Sequence, residues 1–182
     1  MNEEKDKSAE EDVSLMLAAK AGELDAFSSI VKKHQNALMN FFRRCGVYSD
    51  VEDIAQETFL KLYRVRSTYE AKAKFTTFLY LLARQVLIDY IRKQERRANV
   101  LEKYSEDAPQ FESPNEHKGE EDDVLAALDT LTPALRETIV LVVMQGMAYQ
   151  EAADILGVPL GTIKSRVSVG LERLKAYLSK EK

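Results

Sequence analysis

A chain of 182 residues, 45% hydrophobic and 31% charged, can bury one or two small cores and has the composition of a soluble globular protein. One cysteine, Cys45, excludes an internal disulfide and a cysteine-only metal site, and two histidines, His34 and His117, do not complete a zinc set, so no metal or other cofactor is expected. The net charge of −4 is an average of unlike parts: residues 1–12 hold six acids against two lysines and 106–123 eight acids against one lysine, while 20–97 hold fifteen bases against nine acids. The acid therefore lies in a tail (1–12) and a linker (98–123), and the first folded block (13–97) is basic. An acidic N-terminus without an apolar run predicts no signal peptide, and no stretch of roughly 18 apolar residues is present to span a membrane. The expected setting is the cytoplasm, and any membrane link would go through a partner.

After the tail, Val13 to Ala21 reads as a short apolar helix ending near Gly22. In the next helix Phe27, Ile30, Val31, His34, Leu38, Phe41, Phe42 and Cys45 recur at three- and four-residue steps, the mark of one buried face, and Gly46 closes it. His34 on that stripe reads as a packed, partnered side chain. Ser49 and Asp50 can cap a helix from Val51 to Arg66, with Val51, Ile54, Ala55, Thr58, Phe59, Leu62 and Tyr63 inward. Its outer face sets a leucine, Leu60, among charges. Such a face suits docking on another protein or simply faces water.

From Ser67 to Lys74 the pattern breaks into a polar loop. A helix follows that is apolar over most of its circumference, carries Phe75, Phe78, Tyr80 and Tyr90, and ends in Arg92, Lys93, Arg96 and Arg97. Rings beside cations can hold an unpaired DNA strand, by stacking on bases and tracking phosphates; the same rings can be core, and most are expected to be, with one or two at the surface. Residues 98–123, with Pro109, Pro114 and Gly119, have no sustained period and read as a flexible linker.

The second block, 124–182, opens with a short helix from Val124 to Leu128. Thr132 and Pro133 then supply an N-cap and an N1 proline for a helix through Leu135, Ile139, Val140 and Val143, stopped at Gly146. Tyr149 to Leu174 reads as two helices joined at Gly157, where the turn needs positive φ, with Ala153 at a close crossing and Ile163 plugging the core. At about 100° per residue, Ile163, Val167, Leu171, Leu174 and Leu178 share one side, predicted to be buried, with Lys164 and Arg166 on its flanks. That is the pattern of a helix-turn-helix whose second helix enters the major groove, and also of an ordinary amphipathic hairpin. No segment alternates like a strand, so the predicted fold is all-α: two small helical domains joined by the acidic linker.

With both blocks laid out, the chain resembles a bacterial sigma factor of the extracytoplasmic function (ECF) group, within the sigma-70 family. The carriers are Ala26 and Phe27, DIAQETFLKLYR from Asp53 to Arg64 and KFTTFLYLLARQVLIDYIR from Lys74 to Arg92 in the first block. In the second they are LTPALRETIVLVV and YQEAADILGVPLGTIKSRV. The resemblance implies region 2 and region 4 domains, no catalysis, and a role in bringing RNA polymerase core to promoters and helping to melt them. Residue by residue it implies that Asp53, Gln56, Glu57, Leu60, Lys61 and Arg64 grip the β′ clamp helices. Lys72, Lys74, Phe75, Phe78, Tyr80, Arg84, Gln85 and Arg92 would handle the minus 10 element. Gly161, Thr162, Lys164, Ser165, Arg166, Ser168, Val169 and Arg173 would read the minus 35 element. The β flap, promoter DNA and an anti-sigma factor are the other implied partners. A stand-alone helix-turn-helix regulator that binds an operator without polymerase is the alternative. Two departures from the family pattern stand out: Ala148 replaces a usual Ser or Thr cap, and Gly170 lies inside a helix, where glycine costs about 1 kcal/mol against alanine.

Overall fold

The computed structural model describes residues 2–104 and 120–179, so most of the predicted linker lies outside the described residues. The first block contains α1 (Asn2–Ala21), α2 (Leu24–Arg44), α3 (Val51–Val65) with a 3-10 turn at Arg66–Thr68, and α4 (Phe75–Tyr104). The second contains α5 (Glu120–Asp129), α6 (Pro133–Ile139), which runs on as a π turn through Val140–Met144, α7 (Tyr149–Leu156) and α8 (Leu160–Leu178). Among the described residues there is no strand.

The period-3.6 stripes become the first core. Ile30, Leu38, Phe41 and Phe42 from α2, Leu62 from α3, and Leu79 and Leu87 from α4 are fully buried, with Met16 of α1 closing the layer. Phe41 meets the edges of Phe42 and Tyr80 at centroid distances of 5.3 and 5.1 Å, each such pair adding about 1 kcal/mol to its burial. Asp50 precedes α3 but does not cap it. It takes a left-handed φ of 54°, and its carboxylate accepts from the Tyr90 hydroxyl at 3.1 Å. Acidic residues 2–12, expected as a tail, form the first part of α1, and α4 runs past Arg97 to Tyr104.

The acidic end of α1 is held by α2. Asp12, almost fully buried, stands 2.7 Å from Lys33 Nζ and 3.1 Å from His34 Nε2, and Glu11 pairs with the same lysine at 2.7 Å. Burial pushes the Asp12 carboxyl up, but the hydrogen bonds and charges of His34 and Lys33 outweigh it and hold the group below the ordinary carboxylate value. Burial lowers Lys33, and its two acids outweigh that and hold it above the ordinary lysine value. The carboxylate's contribution to stability is therefore present above its unfolded pKa and lost as pH falls through the folded one. The lysine's is present below its unfolded pKa and lost as pH rises through the folded one. Asp12→Asn should cost about 1–3 kcal/mol near neutrality in urea denaturation and flatten the acid limb of the stability profile. An unchanged midpoint would show that α1 is not tied down by this cluster.

In the second block Leu128, Ile139, Val140, Leu141, Ile155 and Ile163 are buried. Thr132 has N-cap backbone geometry ahead of Pro133, without a side-chain cap bond. Gly157 takes φ 64° at the turn between α7 and α8, a conformation open to glycine at little cost. Ahead of α7, Ala148 offers no oxygen, but its N–H donates to the Glu151 carboxylate at 2.8 Å, so one half of a capping box survives.

The burial predicted for α8 needs correction. Ile163 and Val167 are buried, Leu174 is half-buried, but Leu171 and Leu178 are exposed, at 45% and 48%. The inner face turns instead through Gly170, which is buried against α6: a Cβ there would stand 2.6 and 2.8 Å from Ile139 Cγ1 and Cδ1. The departure that looked like a cost is what lets the two helices approach.

Candidate polymerase and DNA interfaces

Three surfaces carry the residues singled out by sequence. On α3 the inward positions Val51, Ile54, Ala55, Thr58, Phe59 and Leu62 are all buried, which forces the intervening residues outward. Asp53, Gln56, Glu57, Leu60 and Arg64 are exposed and Lys61 is half-buried, so the six share one face, with Leu60 at 56% exposure. Sequence reasoning missed what lies beside them. Phe27 of α2 meets Tyr63 of α3 edge-on at 5.1 Å, the Arg66 guanidinium lies 3.8 Å over the Tyr63 ring, and Leu24 is 64% exposed. Phe27 and Leu24 carried a signal, since both continue the α2 stripe, but a stripe does not say which of its ends is uncovered.

The second surface is the loop before α4 and the start of that helix. The loop is anchored by Tyr69, which is 2% exposed, packs against the Phe75 and Phe78 rings and has its carbonyl held by Lys20 Nζ at 2.7 Å. Neither Tyr69 nor Lys20 stood out in the sequence. Lys72 is exposed and pairs with Glu70, while Gln85 and Arg92 are exposed on α4. Phe78 is half-buried. Two of the expected base-stacking rings are core: Phe75, 1% exposed, lies against His34 and Tyr69, and Tyr80, 4% exposed, lies against Phe41. Neither ring is open to a base in this arrangement: Phe75 is covered within the first block, and Tyr80 lies between Phe41 and the second block.

Three members of the set contact the second block, Lys74 while still exposed, Arg84 half-buried and Tyr80 buried. Lys74 Nζ lies 3.0 Å from Glu151, Arg84 Nε donates to Glu137 at 3.1 Å, and the Tyr80 hydroxyl donates to Gln145 Oε1 at 2.8 Å. Burial raises the Tyr80 hydroxyl pKa well above its ordinary value, so the group is a donor at any physiological pH. Further along the seam, Tyr48 donates to Asp129 at 2.5 Å, and Asp129 is in turn held by Arg136 at 2.7 Å.

The third surface is the outward side of α8. Gly161, Lys164, Ser165, Ser168, Val169 and Arg173 are exposed, with Thr162 and Arg166 half-buried at the margins, and Ile163, Val167 and Gly170 fill the opposite side. The eight residues form one continuous strip that is polar, partly basic, and carried on a rigid helix after a tight turn. Such a strip fits a major groove, with cations at the edges for phosphates.

Comparison with known proteins identifies the two blocks. Residues 30–97 match the Sigma-70 region 2 family, and residues 121–174 match the family described as Sigma-70, region 4. The ECF RNA polymerase sigma factor SigE of Mycolicibacterium smegmatis is 31% identical over 164 residues, covering 86% of this chain and 63% of that protein. The chain belongs to the ECF group of the sigma-70 family. This sigma factor is also 27% identical, over 168 residues, to the ECF RNA polymerase sigma-E factor of Haemophilus influenzae, with 86% of the chain and 89% of that relative covered. It thus spans slightly under two thirds of the mycobacterial protein and most of the other.

Among solved structures, the sigma factor RpoE of Bartonella quintana, in complex with the anti-sigma factor NepR, is similar at a TM-score of 0.72 and 25% identity, over 86% of this chain and 98% of that one. CnrH, solved with the cytosolic domain of CnrY, shares the fold at a TM-score of 0.71 and 23% identity, over 94% and 99% of the two chains. The region 2 match takes in α3 and the start of α4, and the region 4 match takes in the strip on α8, so all three surfaces lie inside the matched segments.

Proposed function

We propose that this sigma factor brings RNA polymerase core to specific promoters and assists their melting at initiation, in the cytoplasm and without chemistry of its own. The observation that carries the reading is the presence, in one chain, of region 2 with an exposed leucine on its α3 face and region 4 with a polar, basic strip on α8. Asp53, Gln56, Glu57, Leu60, Lys61 and Arg64 dock on the β′ clamp helices, and region 4 meets the β flap. The loop after α3, with Lys72, Lys74, Phe78, Arg84, Gln85 and Arg92, takes the minus 10 strand. Gly161 to Arg173 on α8 reads the minus 35 duplex. An anti-sigma factor is the natural inhibitor, a view supported by the RpoE structure, which was solved with one. Nothing in the fold or the relatives favours an operator-binding regulator that dispenses with polymerase.

Arg166 and Lys164 stand at the margins of the α8 strip, where phosphate contacts fix register without reading sequence. Arg166→Ala should weaken binding to minus 35 duplexes of every sequence by a similar factor and lower the slope of log affinity against log salt by about one. A slope equal to the parent's would remove Arg166 from the phosphate contacts. A loss confined to one sequence would make it a base reader instead.

A further inference from the structure

Helix α1 ends at Ala21, before the region 2 match begins at residue 30, yet it packs on the 3-10 turn that opens the loop into α4. Met16 and Ala19 are buried in the first core, and Asp12 ties the helix to α2 through Lys33 and His34. About two turns beyond Asp12, Lys20 Nζ donates to the Tyr69 carbonyl at 2.7 Å, a charge-assisted bond between α1 and the loop backbone. The loop depends on Tyr69 for its course. Its ring is buried against Phe75 and Phe78, at centroid distances of 6.2 and 5.4 Å, and this fixes where the chain leaves the core. Burial, and after it the Asp12 charge, push the Tyr69 hydroxyl above its ordinary pKa, so the ring stays neutral there. The five residues that follow, Glu70 to Lys74, are all exposed, with a short turn in which the Lys72 N–H donates to the Glu70 carbonyl at 2.8 Å. Nothing packed over them sets their direction. That direction is set by the peptide plane after Tyr69, whose ψ of 132° is the angle that a held carbonyl fixes.

We propose that Lys20 is a positioning residue for the minus 10 strand: by holding the Tyr69 carbonyl, it sets the course of Glu70 to Lys74 and so presents Lys72 and Lys74 to single-stranded DNA. Lys20 acts through the loop and does not touch the strand. Without the bond the peptide plane after Tyr69 is free to turn about ψ, and the exposed residues beyond it sample many directions. DNA must then order the loop as it binds, and the entropy lost in doing so is subtracted from the affinity. Region 2 is thus braced by a helix from outside its matched segment.

The proposal rests on the assignment of this loop to the minus 10 strand, and the test separates the two. Lys20→Met in the full chain keeps the aliphatic stem and removes the donor. Hydrogen exchange reads the order of residues 66–75, and fluorescence anisotropy at several salt concentrations reads binding of a fluorescein-labelled, mixed-sequence single-stranded 12-mer. The expected result is about fivefold faster exchange in the loop, parent-like exchange in α2, and about fivefold weaker binding with the parent's salt slope. Lys20→Arg, which restores a charged donor, should recover most of both losses. Lys32→Met removes the same charge from an exposed position on α2 and should change neither. A salt slope lowered by about one in Lys20→Met would make Lys20 a phosphate contact and overturn the positioning role. So would parent-like binding, or faster exchange that extends to α2, the mark of a merely structural residue. Lys72→Ala with Arg92→Ala tests the assignment beneath: parent-like binding and slope in that pair would remove the strand site and the role of Lys20 with it. Weaker binding in that pair beside parent-like binding in Lys20→Met would remove the role of Lys20 alone.

Discussion

Leu60→Asp should lower the affinity for core RNA polymerase by about a hundredfold or more while leaving helix content and thermal unfolding as in the parent. Leu60 is 56% exposed and its neighbours Phe59 and Leu62 are buried, so the substitution touches no packing in the free chain. An exposed apolar side chain ringed by Asp53, Gln56, Glu57, Lys61 and Arg64 has the form of an interface anchor with a polar rim. Replacing it by a carboxylate removes the anchor and places an unpaired charge in the desolvated centre, where the penalty runs to several kcal/mol. The measurement is a binding titration of labelled core against the two proteins, with circular dichroism on both. Parent-like affinity would reject the α3 face as the clamp contact. A variant that no longer folds would contradict the burial described for α3.

Gly170→Val should destabilise region 4 by about 1–3 kcal/mol. A Cβ at this position would lie 2.6 Å from Ile139 Cγ1 and 2.8 Å from Cδ1, and Ile139 is itself 1% exposed, so neither side chain can swing away without disturbing its neighbours. Gly170→Ala sets two effects against each other. Alanine gains about 1 kcal/mol of helix propensity over glycine, and the same Cβ drives α8 away from α6. The contact is with the fixed branch of a packed isoleucine, so overpacking wins and alanine also lowers the midpoint, by less than valine. Chemical denaturation of the three proteins orders them glycine, alanine, valine. An alanine variant more stable than the parent would mean that α6 and α8 do not approach so closely.

Much of this fold could be read from periodicity, and the failures have physical causes. The stripes of α2 and α3 predicted their buried faces because each helix is covered along its length. Periodicity carried the α8 stripe on to Leu171 and Leu178, whereas full burial there ends at Gly170 and Leu174 beyond it is only half-buried. The repeat of apolar residues does not record where a packing partner stops. Residues 2–12 read as a solvated tail because their charge dominates. Their helix is fixed by Lys33 and His34, partners more than twenty residues away on another element. Phe75 and Tyr80 stood beside cations and so invited a stacking role, but only the three-dimensional core shows that both rings are covered. The α3 and α8 faces were legible because each lies on one helix, opposite a buried stripe. The contacts between the two blocks were not, because they join residues 53 to 81 positions apart, and Glu137, Gln145 and Glu151 look like ordinary surface polar residues until the blocks are seen together.

The central claim, that this chain acts as a polymerase's promoter-recognition subunit, is tested most directly by reconstituted run-off transcription. Purified core polymerase and a template pool taken from promoters occupied on overexpression are combined with and without the chain. Discrete transcripts that appear only when both proteins are present, and that vanish with Leu60→Asp, are the predicted result. Transcripts of equal yield without the chain, or no transcript and no binding of the chain to core, would contradict it.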